Sequence, residues 1–352
     1  MSDRPQDDRP RIVDVRDVHG FDLGALEAYM AARVPGFQGP LRARQFEGGQ
    51  SNPTFLLSAG DARYVMRRKP PGDLLPSAHA VDREYRVMAA LAETGVPVPR
   101  MLALCEDDSV IGVAFYVMEY LDGRVFRRLD LPNLSPDDRA AVYDAMNDAL
   151  AKLHTVDYAA VGLGDFGKPG SYFARQISRW GRQYEATSTG TIEEMDRLMA
   201  WLPENIPPGD MTTVVHGDYR LENMVFHPRE PRVLGVLDWE LSTLGHPLAD
   251  LAYNCMPYRT YDEGRGSLID AAEAAPGIPS EDAYVAAYCE RTGFDALTHW
   301  NFYVAFSMFR FAAILQGVYY RGLQGNAASD EALKRGDRAK ELARIAADLI
   351  PD

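Results

Sequence analysis

Apolar and polar positions along this chain change period twice, and the changes divide it. Residues 21–33 (FDLGALEAYMAAR) repeat at helical spacing, with Leu23, Leu26 and Met30 on one face and Tyr29 at its edge. From Leu41 the spacing turns to that of strands. Stretches 41–46, 54–58 and 63–67, separated by the turn-rich segments 47–53 and 59–62, predict three antiparallel strands. Residues 79–94 predict a helix that ends at Gly95, with Pro97 and Pro99 marking the exit. Two more strands are expected over 101–105 and 110–119, the second with Gly112 inside it. The tail to about Pro10 is polar and expected to be disordered.

Beyond about Leu134 the period is helical, over 136–154, 171–187, 191–202 and several segments between 246 and 350. One β-rich island interrupts it, at 213–215, 224–227 and 233–237. Residues 300–323 are apolar over a length that could span a bilayer. Asn301, Arg310, Gln316 and Arg321 break that run, so it predicts a core helix of a soluble lobe and no membrane insertion. The pattern as a whole predicts an α+β chain of two lobes. A sheet lobe with one main helix covers 11–120, and a mostly helical lobe covers 121–352.

The net charge of −14 over 352 residues repels nucleic acid, and no basic run longer than Arg67-Arg68-Lys69 opposes it. Cys105, Cys255 and Cys289 are scattered without a CxxC pair, which fits a reducing cytoplasm and suggests neither a zinc site nor a disulfide framework. The polar N-terminal residues predict no signal peptide.

The island carries the chemistry: Val214-Val-His216-Gly-Asp218-Tyr-Arg-Leu-Glu-Asn223, then Val236-Leu-Asp238-Trp-Glu240. Phosphoryl transfer asks a protein mostly for positioning and charge neutralisation. One carboxylate must take or orient the hydroxyl proton, and oxygen ligands must hold Mg²⁺ against the phosphates. A loop of the form H-x-D-x-x-x-x-N, followed after a hairpin by a second Asp, supplies both. Asp218 is then the catalytic base, and Asn223 and Asp238 are the metal ligands. A metal-dependent hydrolase built on His216, Asp218, Asp238 and His246 is a rival, but it leaves the N-terminal lobe without a use.

At these motifs the chain resembles the aminoglycoside phosphotransferase-like kinases, distant relatives of protein kinases. H-G-D in place of H-R-D and D-W-E in place of D-F-G are that family's style. The resemblance implies ATP and Mg²⁺ as cofactors and a two-lobed protein-kinase-like fold. It implies that Gly48-Gly-Gln-Ser51-Asn52 covers the ATP phosphates, with Ser51 donating to a phosphate oxygen. Arg67 stands where such kinases place a Lys that grips the phosphates, with Glu84 as its ion-pair partner; Lys69 is the other candidate for that grip. Glu119 and Leu121 would offer backbone groups to adenine. Asp250 is expected to brace the catalytic loop and His154 to be a core or capping residue.

Three longer stretches narrow the resemblance: Tyr64-Val-Met-Arg-Arg-Lys-Pro-Pro-Gly72, His216–Asn223 and Asp238-Trp-Glu-Leu-Ser-Thr-Leu-Gly-His-Pro-Leu-Ala-Asp250. They are similar to the kinase-like domains associated with acyl-CoA dehydrogenases. That implies a small hydroxylated acceptor such as a hydroxyacyl-CoA, and a functional link to an acyl-CoA dehydrogenase. Arg124, Arg127, Arg128, Arg310 and Arg321 point the same way, toward anionic or apolar groups. The departure at Arg67 motivates one alternative, a nucleotide-binding pseudokinase that regulates without transferring phosphate.

Overall fold

A computed structural model describes residues 11–47, 52–70, 80–324 and 331–351. The N-terminal tail and the loop residues 48–51, Ser51 among them, lie outside the described residues. In chain order the elements begin with β1 (Ile12–Val13), α1 (Leu23–Arg33), β2 (Leu41–Phe46), β3 (Thr54–Ala59), β4 (Ala62–Arg68) and α2 (Val81–Leu91). They continue with β5 (Met101–Cys105), β6 (Phe115–Glu119), α3 (Pro136–His154), α4 (Tyr172–Ala186), α5 (Glu193–Glu204) and β7 (Thr213–Val215). After these come β8 (Met224–Phe226), β9 (Val233–Val236), β10 (Thr243–Gly245) and α6 (Pro247–Cys255). The last stretch is helical, with α7 (Ala271–Ala274), α8 (Glu281–Thr292), α9 (Trp300–Leu323) and α10 (Glu331–Ala347).

The chain forms two compact units. The first holds the residues through Arg127 together with 159–163 and 220–242, and the second holds the remainder. Backbone hydrogen bonds account for the place of 220–242 in the first unit. Arg124 and Phe226 exchange two backbone bonds of 2.8 Å, and Val236 donates to Pro97 O at 2.8 Å. The β8–β9 hairpin is thereby tied to the sheet unit.

In the first unit an antiparallel sheet runs in the order β1-β2-β3-β4-β6-β5. Alternation along β3 turns Phe55, Leu57 and Ala59 to one face, where they meet Leu26 and Met30 of α1 and Phe115 and Val117 of β6. Leu23, expected to share that α1 face, is exposed at the first turn. The strand expected over 110–119 starts five residues later, because Gly112 takes φ +87° and turns the chain. Helix α2 lies against β5 and β6 and buries Val81, Val87, Met88 and Leu91 along with one carboxylate, Glu84.

The second unit is built round α9, which packs against α4, α5, α6 and α10. Its most apolar window is 72% buried, so the run that is long enough to cross a membrane is a core helix here. Strand β7 pairs with β10, while β8 pairs with β9; the island is two short ladders, not one. Ser135 caps α3 and Ser280 caps α8, each accepting from the backbone N–H three residues on.

Candidate active site

Three candidate residues of the first unit, Arg67, Glu84 and Asp238, meet near the end of β4, while Glu119 pairs with Tyr64 near its start. Glu84 is fully buried, and burial pushes its carboxyl up to about 7 against the pull of Arg67. It is nonetheless well supplied with partners: Asn52 Nδ2 donates to it at 2.9 Å, Tyr116 Oη at 3.1 Å, and Arg67 Nε lies 3.4 Å away. The far end of the same guanidinium donates to Asp238 Oδ1 at 2.7 Å and to Glu240 Oε2 at 3.3 Å. Burial works against the Arg67 charge, but Glu84, Tyr116 and Asp238 outweigh it and hold its value above that of a free guanidinium. Arg67, not Lys69, makes the ion pair with Glu84. Arg68 points to the opposite face, where its guanidinium lies over Phe21 and Phe55.

Asp238 follows β9 in the left-handed region, at φ 66° and ψ 59°. An Asp tolerates that conformation better than most residues do. Asn223 ends a one-turn 3₁₀ segment just before β8, and its carbonyl accepts from Leu237 N at 2.7 Å. That bond ties the two expected metal ligands into one piece. Both offer hard oxygen donors, an amide and a carboxylate, which suit Mg²⁺. Among the described residues no group of three or more His, Cys, Asp or Glu side chains is placed to hold a metal ion.

A cavity of about 260 Å³ opens in the same unit, lined by Phe46, Val65, Met118, Leu121, Val225 and Leu237 among others. Glu119 and Leu121 both border it. The Glu119 N–H is taken up by Arg100 O at 3.0 Å, and Arg100 N donates back to Glu119 Oε1 at 2.8 Å. A Cβ at Gly235 would stand 2.5 Å from Leu121 Cδ1, so a side chain there would push Leu121 aside at the cavity wall.

Asp218 belongs to the second unit, in the loop after β7. Gly217 takes φ +86°, which turns successive N–H groups of the loop toward α6. Asp250, buried in the first turn of α6, accepts from His216 N and, at 2.8 Å, from Gly217 N. Burial would raise the Asp250 carboxyl, but His154 and these backbone donors bring it below its ordinary value. The brace expected of Asp250 is present; the cap of α6 is His246, whose Nδ1 accepts from Leu248 N. His154 is a core residue, bonded to Tyr288 Oη at 2.6 Å. Asp218 N donates to His216 Nδ1 at 3.2 Å, and Asp218 Oδ1 accepts from Tyr253 Oη at 2.6 Å.

Sequence reasoning assigned no role to Tyr253 or Glu240. Tyr253 follows Asp250 by three residues, a helical spacing that sets both on one side of α6, so the signal was there to use. Three of the arginines expected to meet an anion are engaged by the protein itself, Arg310 by donating to Gly217 O at 3.0 Å. Arg124 donates to His227 O and Glu230 O, and Arg128 forks onto Asp130 at 2.9 and 2.6 Å.

The phosphotransferase enzyme family APH matches residues 42–292, and the chain belongs to it. A crystal structure from Ralstonia eutropha JMP134, provisionally an aminoglycoside phosphotransferase, is 53% identical with a TM-score of 0.86, covering 94% of this chain and 98% of that one. Acyl-CoA dehydrogenase family member 10 of Mus musculus is 47% identical over 344 residues, covering 97% of this chain but 32% of that protein. This chain spans less than half the length of the curated relatives it matches. Choline kinase from Cryptosporidium parvum is 13% identical with a TM-score of 0.63, covering 92% of this chain and 96% of that one, a likeness of fold alone. The fold is α+β and kinase-like, and the family and its neighbours support a small-molecule phosphotransferase.

Proposed function

We propose that this chain transfers the γ-phosphate of ATP to a hydroxyl of a small metabolite, in the presence of Mg²⁺. The observation that carries the assignment is the reach of Arg67, whose guanidinium pairs with buried Glu84 and with Asp238 together. A strand cation tied to a helix carboxylate is the ion pair that phosphate positioning uses, and the carboxylate after the hairpin lies beside it. The apolar cavity beside Glu119 and Leu121 takes the adenine, and Ser51 donates to a phosphate. Asn223 and Asp238 would hold Mg²⁺, which when bound neutralises charge on the phosphate oxygens. Asp218 accepts the proton of the acceptor alcohol; its loop is held by Asp250 so that the carboxylate keeps one position.

The acceptor we propose is a hydroxylated acyl chain, with a hydroxyacyl-CoA as the lead compound. Its support is the similarity to chains named as acyl-CoA dehydrogenase family members, all of which are longer than this one. The deciding experiment incubates purified protein with ATP, Mg²⁺ and pooled hydroxylated metabolites, using Asp218→Asn protein as the blank, and seeks an added phosphate by mass spectrometry. A hydroxyacyl-CoA product made only by the unaltered protein is the expected result. Phosphorylation of kanamycin alone would sink the acyl assignment.

A second possibility, nucleotide binding without transfer, draws on one observation. Arg67 is not the Lys of related kinases, and it engages the carboxylate that a metal would need. ATP binding with no product from any pool would favour it.

A further inference from the structure

In the second unit, the hydroxyl of Tyr253 donates to Asp218 Oδ1 at 2.6 Å. An acceptor alcohol has to make the same bond, since a general base works at about 2.6–3.2 Å from the oxygen whose proton it takes. The phenol is held there from several sides. Helix α6, which carries Tyr253, also carries Asp250, and Asp250 fixes the N–H groups of His216 and Gly217 just before Asp218. The ring of Phe311 meets the Tyr253 ring edge-on at 6.1 Å. The Arg310 guanidinium lies 6.0 Å from the Tyr253 ring centre and donates to Gly217 O at 3.0 Å. Base and phenol are thus parts of one braced assembly of loop, α6 and α9. A phenol O–H donates to a carboxylate, so Tyr253 is a hydrogen-bond partner of Asp218 and not a competing base.

We propose that Tyr253 is a positioning residue that keeps the acceptor's place on Asp218. Its hydroxyl occupies the carboxylate until an alcohol displaces it, so that a bare water molecule does not. The proposal rests on Asp218 being the catalytic base. The reaction it restrains is hydrolysis: water oxygen bonds to the γ-phosphorus, the water proton passes to Asp218, the bond from the γ-phosphorus to the bridging oxygen breaks, and ADP leaves with that oxygen. Tyr253 exchanges no atoms in either reaction. A true acceptor brings binding contacts from the rest of the molecule and can displace the phenol, whereas water brings only its own hydrogen bonds. Tyr253 thereby favours alcohols that bind well over water.

The test needs no knowledge of the acceptor. ATP hydrolysis by the full chain is followed with Mg²⁺ and no acceptor, in wild type, Tyr253→Phe, Asp218→Asn and the double variant. Phenylalanine keeps the ring against Phe311 and Arg310 and removes only the hydroxyl; thermal unfolding checks that the fold is kept. Tyr253→Phe should hydrolyse ATP about tenfold faster than wild type, the scale set by losing one hydrogen bond to a charged group. Asp218→Asn and the double variant should fall to background. A merely structural tyrosine would lower the rate or leave it unchanged, and either result, with Asp218→Asn inactive, overturns the placeholder while the base stands. Hydrolysis in Asp218→Asn equal to wild type would instead remove the base, and the placeholder with it. Phosphate found on Tyr253 itself would also overturn the proposal, because the phenol would then be an acceptor.

Discussion

Arg67 Nη2 donates to Asp238 Oδ1 at 2.7 Å, joining a strand to a turn that lies 171 positions further along the chain. The fork of the guanidinium makes this possible while Nε still faces Glu84 at 3.4 Å.

A lysine at this position carries one compact ammonium and cannot serve Glu84 and Asp238 in the same way. Arg67→Lys should therefore release Asp238 toward a metal. We expect the Mg²⁺ concentration for half-maximal ADP binding to fall about fivefold, the worth of roughly one hydrogen bond. Titration of Mg²⁺ against fluorescent ADP analogue binding measures this without relying on turnover. An unchanged midpoint would show that the Arg67 contact does not compete with the metal.

Removing the proposed base should separate chemistry from binding. Asp218→Asn keeps the size of the side chain and the Tyr253 contact partner but loses the proton acceptor. Turnover should drop by about 10²–10⁴, with ADP affinity unchanged by calorimetry. Retained turnover would reject the role.

Asp250 accepts two backbone N–H groups of the loop and is itself buried, so its replacement strikes stability before chemistry. Asp250→Asn sets an amide where two acceptor oxygens are needed and leaves at least one buried N–H without a partner. We expect a loss of about 2–4 kcal/mol in urea unfolding. A change below about 0.5 kcal/mol would mean that the loop holds itself without the brace.

His246 supplies a pH dependence. Burial lowers its value from 6.5 to about 4, so the folded protein keeps the imidazole neutral where the unfolded chain is protonated. Between those values the unfolded state binds more protons, and stability rises with pH. The contribution is full above about 6.5 and is lost as pH falls toward 4, with a ceiling of about 3 kcal/mol. His246→Asn keeps a capping acceptor for Leu248 N but does not titrate. Denaturant midpoints at pH 7 and pH 5 should differ less in this variant than in wild type; an equal difference would assign the acid sensitivity elsewhere.

What was legible in the chain was what is periodic or locally spaced. The α3 boundaries follow from Ser135 and Pro136 at one end and a long helical period behind them, and the structure returns the predicted 136–154. The His216–Asn223 spacing pointed to the loop because its residues are close in sequence. Strand β10 escaped because three residues, Thr243–Gly245, carry no measurable period, and their pairing with Thr213–Val215 is a long-range contact. The apolar pattern over 110–119 carries Gly112 into a strand, since a sequence shows a glycine but not the sign of its φ. Likewise the Arg67 contact with Glu240 and the Tyr253 contact with Asp218 are made by side chains far apart along the chain. Their residue types allowed these meetings without announcing them.

The left-handed backbone of Asp238 narrows what can replace it. Glycine and asparagine adopt φ 66° with little strain, while most other side chains oppose it. Both of the tolerated replacements discard the carboxylate and keep the turn. The single changes at this codon that spare the turn thus remove the charge proposed to hold Mg²⁺.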